Sequence, residues 1–166
     1  MSIVADRGSP RLESGALVIG IGNADRGDDA VGLIVARRLR TRCPAGARVL
    51  EHNGEATSLL DCLGVADGAY LIDACMTGQP PGTISRFDVS LTALPDSARG
   101  RSTHGMGLAD AIELARALGR LPRRCVIYAI DGQNFGAGAD LSPDVAAAAE
   151  RVADLIETEL RAIPGD

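Results

Sequence analysis

Short runs of apolar and β-branched residues alternate along this chain with longer stretches of helical periodicity. The sequence predicts strands at residues 16–21, 48–51, 69–73, 83–88 and 124–130. It predicts helices from about Asp29 to Leu39, over residues 56–63, from Ser102 or Thr103 to Leu118, and over residues 143–163 after Ser142 as N-cap. Strands that alternate with helices imply right-handed crossovers and a mostly parallel sheet covered on both faces. We therefore expect an α/β fold.

The length fits a single domain, because 166 residues lie within the usual range of about 100–200 residues. Residues 1–15 carry no apolar run, so we expect a flexible N-terminal segment followed by one α/β domain over residues 16–163. Aromatic residues make up only 2% of the chain and tryptophan is absent, which predicts an aliphatic core.

Composition also excludes several classes of partner. The net charge of −5 argues against nucleic acid, since phosphate binding needs concentrated positive charge. The longest apolar stretch, Ala16–Ile21, is far too short to cross a bilayer, and residues 1–15 do not read as a signal peptide. The four cysteines lie far apart, without the spacing of a zinc site or a disulfide framework. These features predict a cytoplasmic protein.

Several acidic and imidazole side chains follow the predicted strands. Asp28 and Asp29 follow the first strand, Asp73 closes the third, His52 ends the second, and His104 opens a helix after a long loop. Ligands of open α/β sheets bind beyond the carboxyl ends of the strands. We therefore expect these side chains to meet at one edge of the sheet, with His52 facing the substrate.

The pair Gly20-x-Gly22 after the first strand invites a dinucleotide-binding interpretation, but the sequence argues against it. The third glycine of that motif would fall at position 25, which is Asp. Asp25, Asp28 and Asp29 crowd the place where a pyrophosphate would sit. Two like charges about 4 Å apart repel by roughly 4 kcal/mol at an effective dielectric constant of 20.

Acids gathered at strand ends repel each other unless a cation or a shared proton intervenes, so they favour a divalent metal with oxygen and imidazole ligands. A helix N-terminus keeps the His104 imidazole neutral, which is its metal-binding form. Ordinary alternatives stay open: Asp28 or Asp29 caps the helix, Asp73 starts a turn, and His104 and His52 are solvated. The sequence contains neither G-x-S-x-G nor H-E-x-x-H, so it lacks the signatures of two common hydrolase mechanisms.

Three segments together resemble the hydrogenase maturation endopeptidases. They are the motif GIGNADRGDDAVG from Gly20 to Gly32, Leu71-Ile-Asp73-Ala, and Ser102-Thr-His104-Gly-Met-Gly-Leu108. The resemblance runs from about Ala16 to Leu160. It implies a three-layer α/β/α sandwich around a central, mostly parallel twisted sheet, here of about five strands. It also implies an endopeptidase that removes the C-terminal extension of a [NiFe]-hydrogenase large-subunit precursor once nickel is in place.

The resemblance further implies a site. Asp29, Asp73 and His104 match the family's metal-contacting triad and are the predicted catalytic and metal-binding residues, while Asn23, Asp28 and His52 are predicted substrate contacts. The resemblance implies that the metal is nickel carried by the precursor rather than bound permanently, and that the precursor is the partner. We expect no nucleic acid and no membrane as partners. Many members carry Asp-Gly-Gly after the second strand, where this chain reads Glu-His-Asn-Gly-Glu over residues 51–55.

Two questions stay open at the level of the sequence. The route of cleavage is the first: either the metal polarises the scissile carbonyl or holds the attacking water, or Asp29 or Asp73 acts as general base. The alternative functions are a small-molecule or nucleotide-binding α/β protein without protease activity, and a related peptidase that acts on a different precursor.

Overall fold

The computed structural model describes residues 15–99 and 107–163. Five strands form one sheet: β1 (Ala16–Ile21), β2 (Arg48–His52), β3 (Gly68–Cys75), β4 (Ile84–Asp88) and β5 (Arg124–Asp131). Their order across the sheet is β2-β1-β3-β5-β4. β1, β2, β3 and β5 run parallel, and the edge strand β4 pairs antiparallel with β5. The predicted α/β fold with a mostly parallel sheet is confirmed.

Helices cover both faces of this sheet. They are α1 (Val31–Leu39), α2 (Ala56–Gly64), α3 (Asp96–Arg99), α4 (Gly107–Ala117) and α5 (Pro143–Arg161). α1 packs beside α5 on one face, and α2 packs beside α4 on the other. Successive residues of a strand point to opposite faces, so Val18 enters the core under α1 and α5, while Leu17 and Ile19 enter the core under α2 and α4. The predicted three layers are confirmed.

Glycines let the start of α1 approach the sheet closely. A Cβ atom on Gly32 would lie 2.3 Å from the carbonyl oxygen of Ile21 and 2.4 Å from that of Ile72. A Cβ atom on Gly20 would lie 2.1 Å from the carbonyl oxygen of Gly32. Glycine is needed at both positions because backbone occupies the space of a side chain. Close packing against the start of α1 therefore explains why residue 20 is glycine, and no nucleotide-binding role is needed to explain it.

The structure differs from the sequence prediction in three places. β3 continues two residues beyond Asp73, because β5 extends beside it and Cys75 pairs with Asp131. The short helix α3 lies in a segment that the sequence predicts as loop. Ser142 precedes α5 as predicted, yet its side chain makes no capping hydrogen bond, because the hydroxyl donates to Asp28 instead.

Some predictions concern residues that the structure does not describe. The flexible segment at residues 1–15 lies almost entirely outside the described residues, and so do Ser102 and Thr103, the predicted start of the helix that contains α4. In the described ranges, no helix is both long and apolar enough to span a lipid bilayer.

Candidate functional site

Two of the three predicted triad residues lie at the point where the sheet reverses its strand order. The chain passes from β1 to β2 on one side and later to β3 on the other, and open α/β sheets bind ligands at such a point. A 3-10 turn, Gly27–Ala30, follows β1 and contacts β3. It carries Asp29 to the edge at which Asp73 lies. The two aspartates are only 1% and 2% exposed, respectively.

His104, the third predicted member, lies outside the described residues, so its place in the triad stays a prediction. Within residues 15–99 and 107–163, no three His, Cys, Asp or Glu side chains are grouped closely enough to hold a metal ion. The roles of Asp29 and Asp73 as metal ligands stay predictions as well.

Asp28 is the best-connected acid of the turn. Its Oδ2 accepts hydrogen bonds from the amides of Gln133 at 2.9 Å and Asn134 at 3.0 Å, and from the hydroxyl of Ser142 at 2.8 Å. Its Oδ1 accepts one from the Ser142 amide at 2.7 Å. Burial raises the pKa of Asp28, but these hydrogen bonds outweigh burial, and the net shift is downward. Asp28 is fully buried and anchors two segments to each other, and its contact with substrate stays a prediction.

Backbone hydrogen bonds reinforce that anchor. The Asp28 amide donates to the carbonyl oxygen of Asn134 at 2.8 Å, and the Gly138 amide donates to that of Asp25 at 2.7 Å. Gly27 has a positive φ of 56° and would place a Cβ atom 2.3 Å from the Asn134 carbonyl oxygen. The loop after β5 thus fixes the turn that carries Asp29.

His52 and Asn23, the other predicted substrate contacts, make local hydrogen bonds. His52 Nδ1 accepts from the Gly54 amide at 2.9 Å, and its Nε2 lies 2.8 Å from the Ser58 hydroxyl. Burial lowers the pKa of His52, which favours the neutral ring. Asn23 is exposed, and its Oδ1 accepts from the Asp25 amide at 2.9 Å. Contact of either side chain with substrate stays a prediction.

Glu51, near the end of β2, and Glu55, just after it, have structural explanations. Glu55 precedes α2, and its carboxylate accepts hydrogen bonds from the amides of Thr57 and Ser58, each at 2.8 Å. These bonds lower the pKa of Glu55 to about 2. Glu51 forms an ion pair with Arg37. The segment that replaces Asp-Gly-Gly in this chain therefore caps a helix and pairs with α1.

Asp131, the last residue of β5, is a further buried acid at this edge. It is 1% exposed, and its Oδ1 accepts hydrogen bonds from the amide and the hydroxyl of Thr77, each at 2.7 Å. Burial and the neighbouring Asp131 raise the pKa of Cys75 to about 12, so the Cys75 side chain is a thiol. The sequence signal that could have identified Asp131 is its position directly after a predicted strand, since Asp73 was singled out for a similar position.

Asp73 borders a small cavity of about 40 Å³ on the side of the sheet covered by α4. Phe87, Leu94 and Leu108 supply apolar walls. A second cavity, of about 300 Å³, adjoins it and shares the side chains of Cys75, Phe87, Ala98 and Ala129. Asp73 therefore borders a small cavity that shares part of its wall with a larger one.

A family profile described as hydrogenase maturation protease matches residues 44–159, which is more than half of the chain. The chain belongs to the hydrogenase maturation protease family. The matched range contains β3 with Asp73 and the position of His104, whereas the turn with Asp29 precedes it. The family assignment confirms the predicted peptidase activity in hydrogenase maturation.

Curated relatives of this protease carry corresponding names. The chain is 29% identical over 149 residues to the hydrogenase 2 maturation protease of Escherichia coli (strain K12), covering 87% of this chain and 90% of that protein. It is 26% identical over 153 residues to the hydrogenase expression/formation protein HupD of Thiocapsa roseopersicina, covering 90% of this chain and 68% of that protein. Similarity thus extends well beyond the sequence motifs.

Solved structures of similar proteins support the fold. The [NiFe] hydrogenase maturation protease HycI from Thermococcus kodakarensis KOD1 aligns with a TM-score of 0.69 at 27% identity, over 88% of this chain and 92% of that one. The hydrogenase maturating endopeptidase HybD from E. coli aligns with a TM-score of 0.74 at 24% identity, over 88% and 91% of the two chains. The protease therefore shares its whole layered architecture with these enzymes.

Proposed function

We propose that this protease removes the C-terminal extension of a nickel-loaded [NiFe]-hydrogenase large-subunit precursor. Asp29, Asp73 and His104 bind the nickel ion that the precursor carries. The observation that carries this proposal is the burial of two aspartates on separate elements, the turn after β1 and strand β3, which flank the strand-order reversal of the sheet. The family assignment supports the substrate class.

Recognition of nickel follows from the electrostatics of buried acids. Two carboxylates at one edge, each almost inaccessible to water, are stabilised by a cation between or beside them. Oxygen donors with one imidazole suit a divalent first-row metal ion. A precursor without nickel offers no such compensation, so it docks poorly and is left uncut.

Cleavage of the peptide bond requires an activated water molecule. Asp73 is the side chain of the pair that borders the cavity, so it is the carboxylate we assign as general base for that water. Nickel held by the precursor offers a second route, since a metal ion polarises a carbonyl or lowers the pKa of bound water. Substitution of Asp73 by Asn separates the two routes, because an amide keeps an oxygen ligand but accepts no proton.

The reaction we propose takes place in the cytoplasm. All four cysteines of the protease are free thiols in the structure, as expected where thiols are kept reduced. Fractionation of the source cells, followed by detection of the protease, tests the location. Recovery in the periplasm would contradict it.

A processing assay tests the proposed substrate directly. The purified protease is incubated with a nickel-loaded large-subunit precursor and, separately, with the same precursor prepared without nickel. Intact-mass spectrometry then measures loss of the C-terminal extension. We expect cleavage of the nickel-loaded precursor alone. Efficient cleavage without nickel would contradict recognition of the metal, and no cleavage of either form would contradict the assigned substrate.

A further inference from the structure

The larger cavity near Asp73 has walls of mixed but uncharged character. Its lining includes Thr77, Gln79, Ser85, Phe87, Ala98 and Ala129. Its volume of about 300 Å³ lies at the lower end of the roughly 300–1,000 Å³ range of small-molecule sites. The described lining residues carry no Asp, Glu, Lys, Arg or His.

The cavity lies above a row of side chains that crosses three strands. Asp73 of β3 pairs with Ala129 of β5, and Ala129 pairs with Ser85 of β4. In the preceding row, Ile127 of β5 pairs with Phe87 of β4. Because residue 129 is alanine, only a methyl group projects from β5 beneath the cavity. A larger side chain, such as that of Ile127 in the preceding row, would fill it.

The burial of β5 agrees with an opening at this point. β5 is a central strand, with β3 on one side and β4 on the other. From Cys125 to Asp131 every residue of β5 is buried except Ala129, which is partly exposed. Solvent therefore reaches the middle of the sheet at Ala129, beside the proposed catalytic carboxylate.

We propose that this cavity is a specificity pocket that accepts one uncharged side chain of the precursor close to the cleaved bond, and that Ala129 and Ser85 determine which side chain fits. This inference rests on the proposed function. The occupant is uncharged because a charged group would lose water without meeting an opposite charge on the described walls.

The sheet geometry limits where in the precursor that side chain lies. Adjacent strands are about 4.8 Å apart, so Asp73 and Ser85, two strands apart in one row, are separated by roughly 10 Å. An extended peptide advances about 3.3 Å per residue. A peptide whose scissile bond lies at Asp73 therefore reaches the cavity within about three residues.

Filling the pocket is the first test. We compare Ala129→Leu with Ala117→Leu. The control makes the same change at an exposed position, the last residue of α4, away from the cavity lining. With the nickel-loaded precursor, Ala129→Leu is expected to lower kcat/KM at least tenfold, whereas Ala117→Leu leaves it unchanged. Ser85→Leu, on the edge strand β4 beside Ala129, fills the same cavity from a second strand and serves if Ala129→Leu is unstable.

A scan of the precursor then identifies the occupant. Each of three residues on either side of the cleaved bond is replaced singly by Ala and by Asp, and each precursor is assayed with wild-type and Ala129→Leu protease. At one position, Ala is expected to restore most of the rate of Ala129→Leu, and Asp is expected to lower the wild-type rate at least tenfold. Other positions should show additive effects.

The outcomes separate this inference from the proposed function. Wild-type rates for both Ala129→Leu and Ser85→Leu, with circular dichroism confirming folded protein, would overturn the pocket while leaving the protease assignment intact. Additive effects at all six precursor positions would also overturn it. Failure of the wild-type protease to cut any nickel-loaded precursor would instead contradict the proposed function.

Discussion

The carboxylate of Asp28 accepts hydrogen bonds from both the backbone amide and the hydroxyl of Ser142, a residue 114 positions away in the sequence. This contact joins the turn after β1 to the start of α5. Asp29 is the next residue in that turn. Asp28 holds the backbone of the turn in place, and our proposal assigns metal recognition to Asp29 rather than to Asp28.

Replacement of Asp28 by Asn should destabilise the protein by about 2–4 kcal/mol, because an amide places donors against the N–H groups that the carboxylate now accepts from. Asp25→Asn, at an exposed position in the same turn, should change stability by no more than about 0.5 kcal/mol. Urea unfolding followed by circular dichroism measures both. Equal stabilities of the two variants would show that Asp28 is not an anchor.

Acid should weaken the contact between α5 and the sheet. Glu159 accepts hydrogen bonds from Arg86 and Arg124 at 2.8–2.9 Å and from the Tyr128 hydroxyl. Burial opposes ionisation, yet these donors outweigh it and lower the pKa of Glu159 from 4.5 to about 2. A lowered folded-state pKa contributes stability that is present above pH 4.5 and lost as the pH falls towards 2.

Unfolding free energies of the wild type and Glu159→Gln between pH 7 and pH 2.5 measure this contribution. We expect the variant to be less stable at pH 7 by an amount of order 3 kcal/mol, and the difference to shrink below pH 4.5. A difference that stays constant across this range would mean that ionisation of Glu159 is not the cause.

Gly32→Ala should be strongly destabilising, by about 3 kcal/mol or more, because the added methyl group would overlap two backbone carbonyl oxygens of β1 and β3. Gly64→Ala is the matched control, since its added methyl group would lie 3.6 Å from Cδ of Arg120, an ordinary van der Waals distance. Alanine in a helix should make that control as stable as the wild type or slightly more so. Thermal unfolding compares the two, and similar midpoints would argue against close packing of α1.

Asp73→Asn tests whether a carboxylate activates the water. If Asp73 is the general base, the variant should lower kcat by a factor of about 100 or more on the nickel-loaded precursor, because proton transfer is lost. Binding of that precursor, measured by calorimetry, should weaken much less. A kcat near the wild-type value would assign activation of the water to the nickel ion instead.

Local sequence patterns predicted most of the fold. β1 was placed at its observed ends because six consecutive residues, Ala16 to Ile21, are apolar or glycine and are bounded by turn residues. β3 was predicted too short because its last two residues depend on pairing with β5, which lies some fifty residues away. Helix α3 was missed because a single turn of helix leaves little periodicity.

The candidate site was predicted in part. Asp29 and Asp73 were placed at one edge by the general rule for parallel sheets, and the structure brings them there. The separate roles of Asp28 and Asp29 could not be read from the sequence, because they depend on the loop before Ser142 folding back beneath the turn. The cavity beside Ala129 was also not predictable, since it arises from the alignment of three strands.

The most direct test of the account measures processing of the nickel-loaded precursor by His104→Ala. With unchanged circular dichroism and thermal midpoint, this variant should remove no detectable C-terminal extension, because nickel then lacks its only nitrogen ligand in the proposed triad. Processing by folded His104→Ala at the wild-type rate would contradict the proposal that Asp29, Asp73 and His104 together recognise the metal.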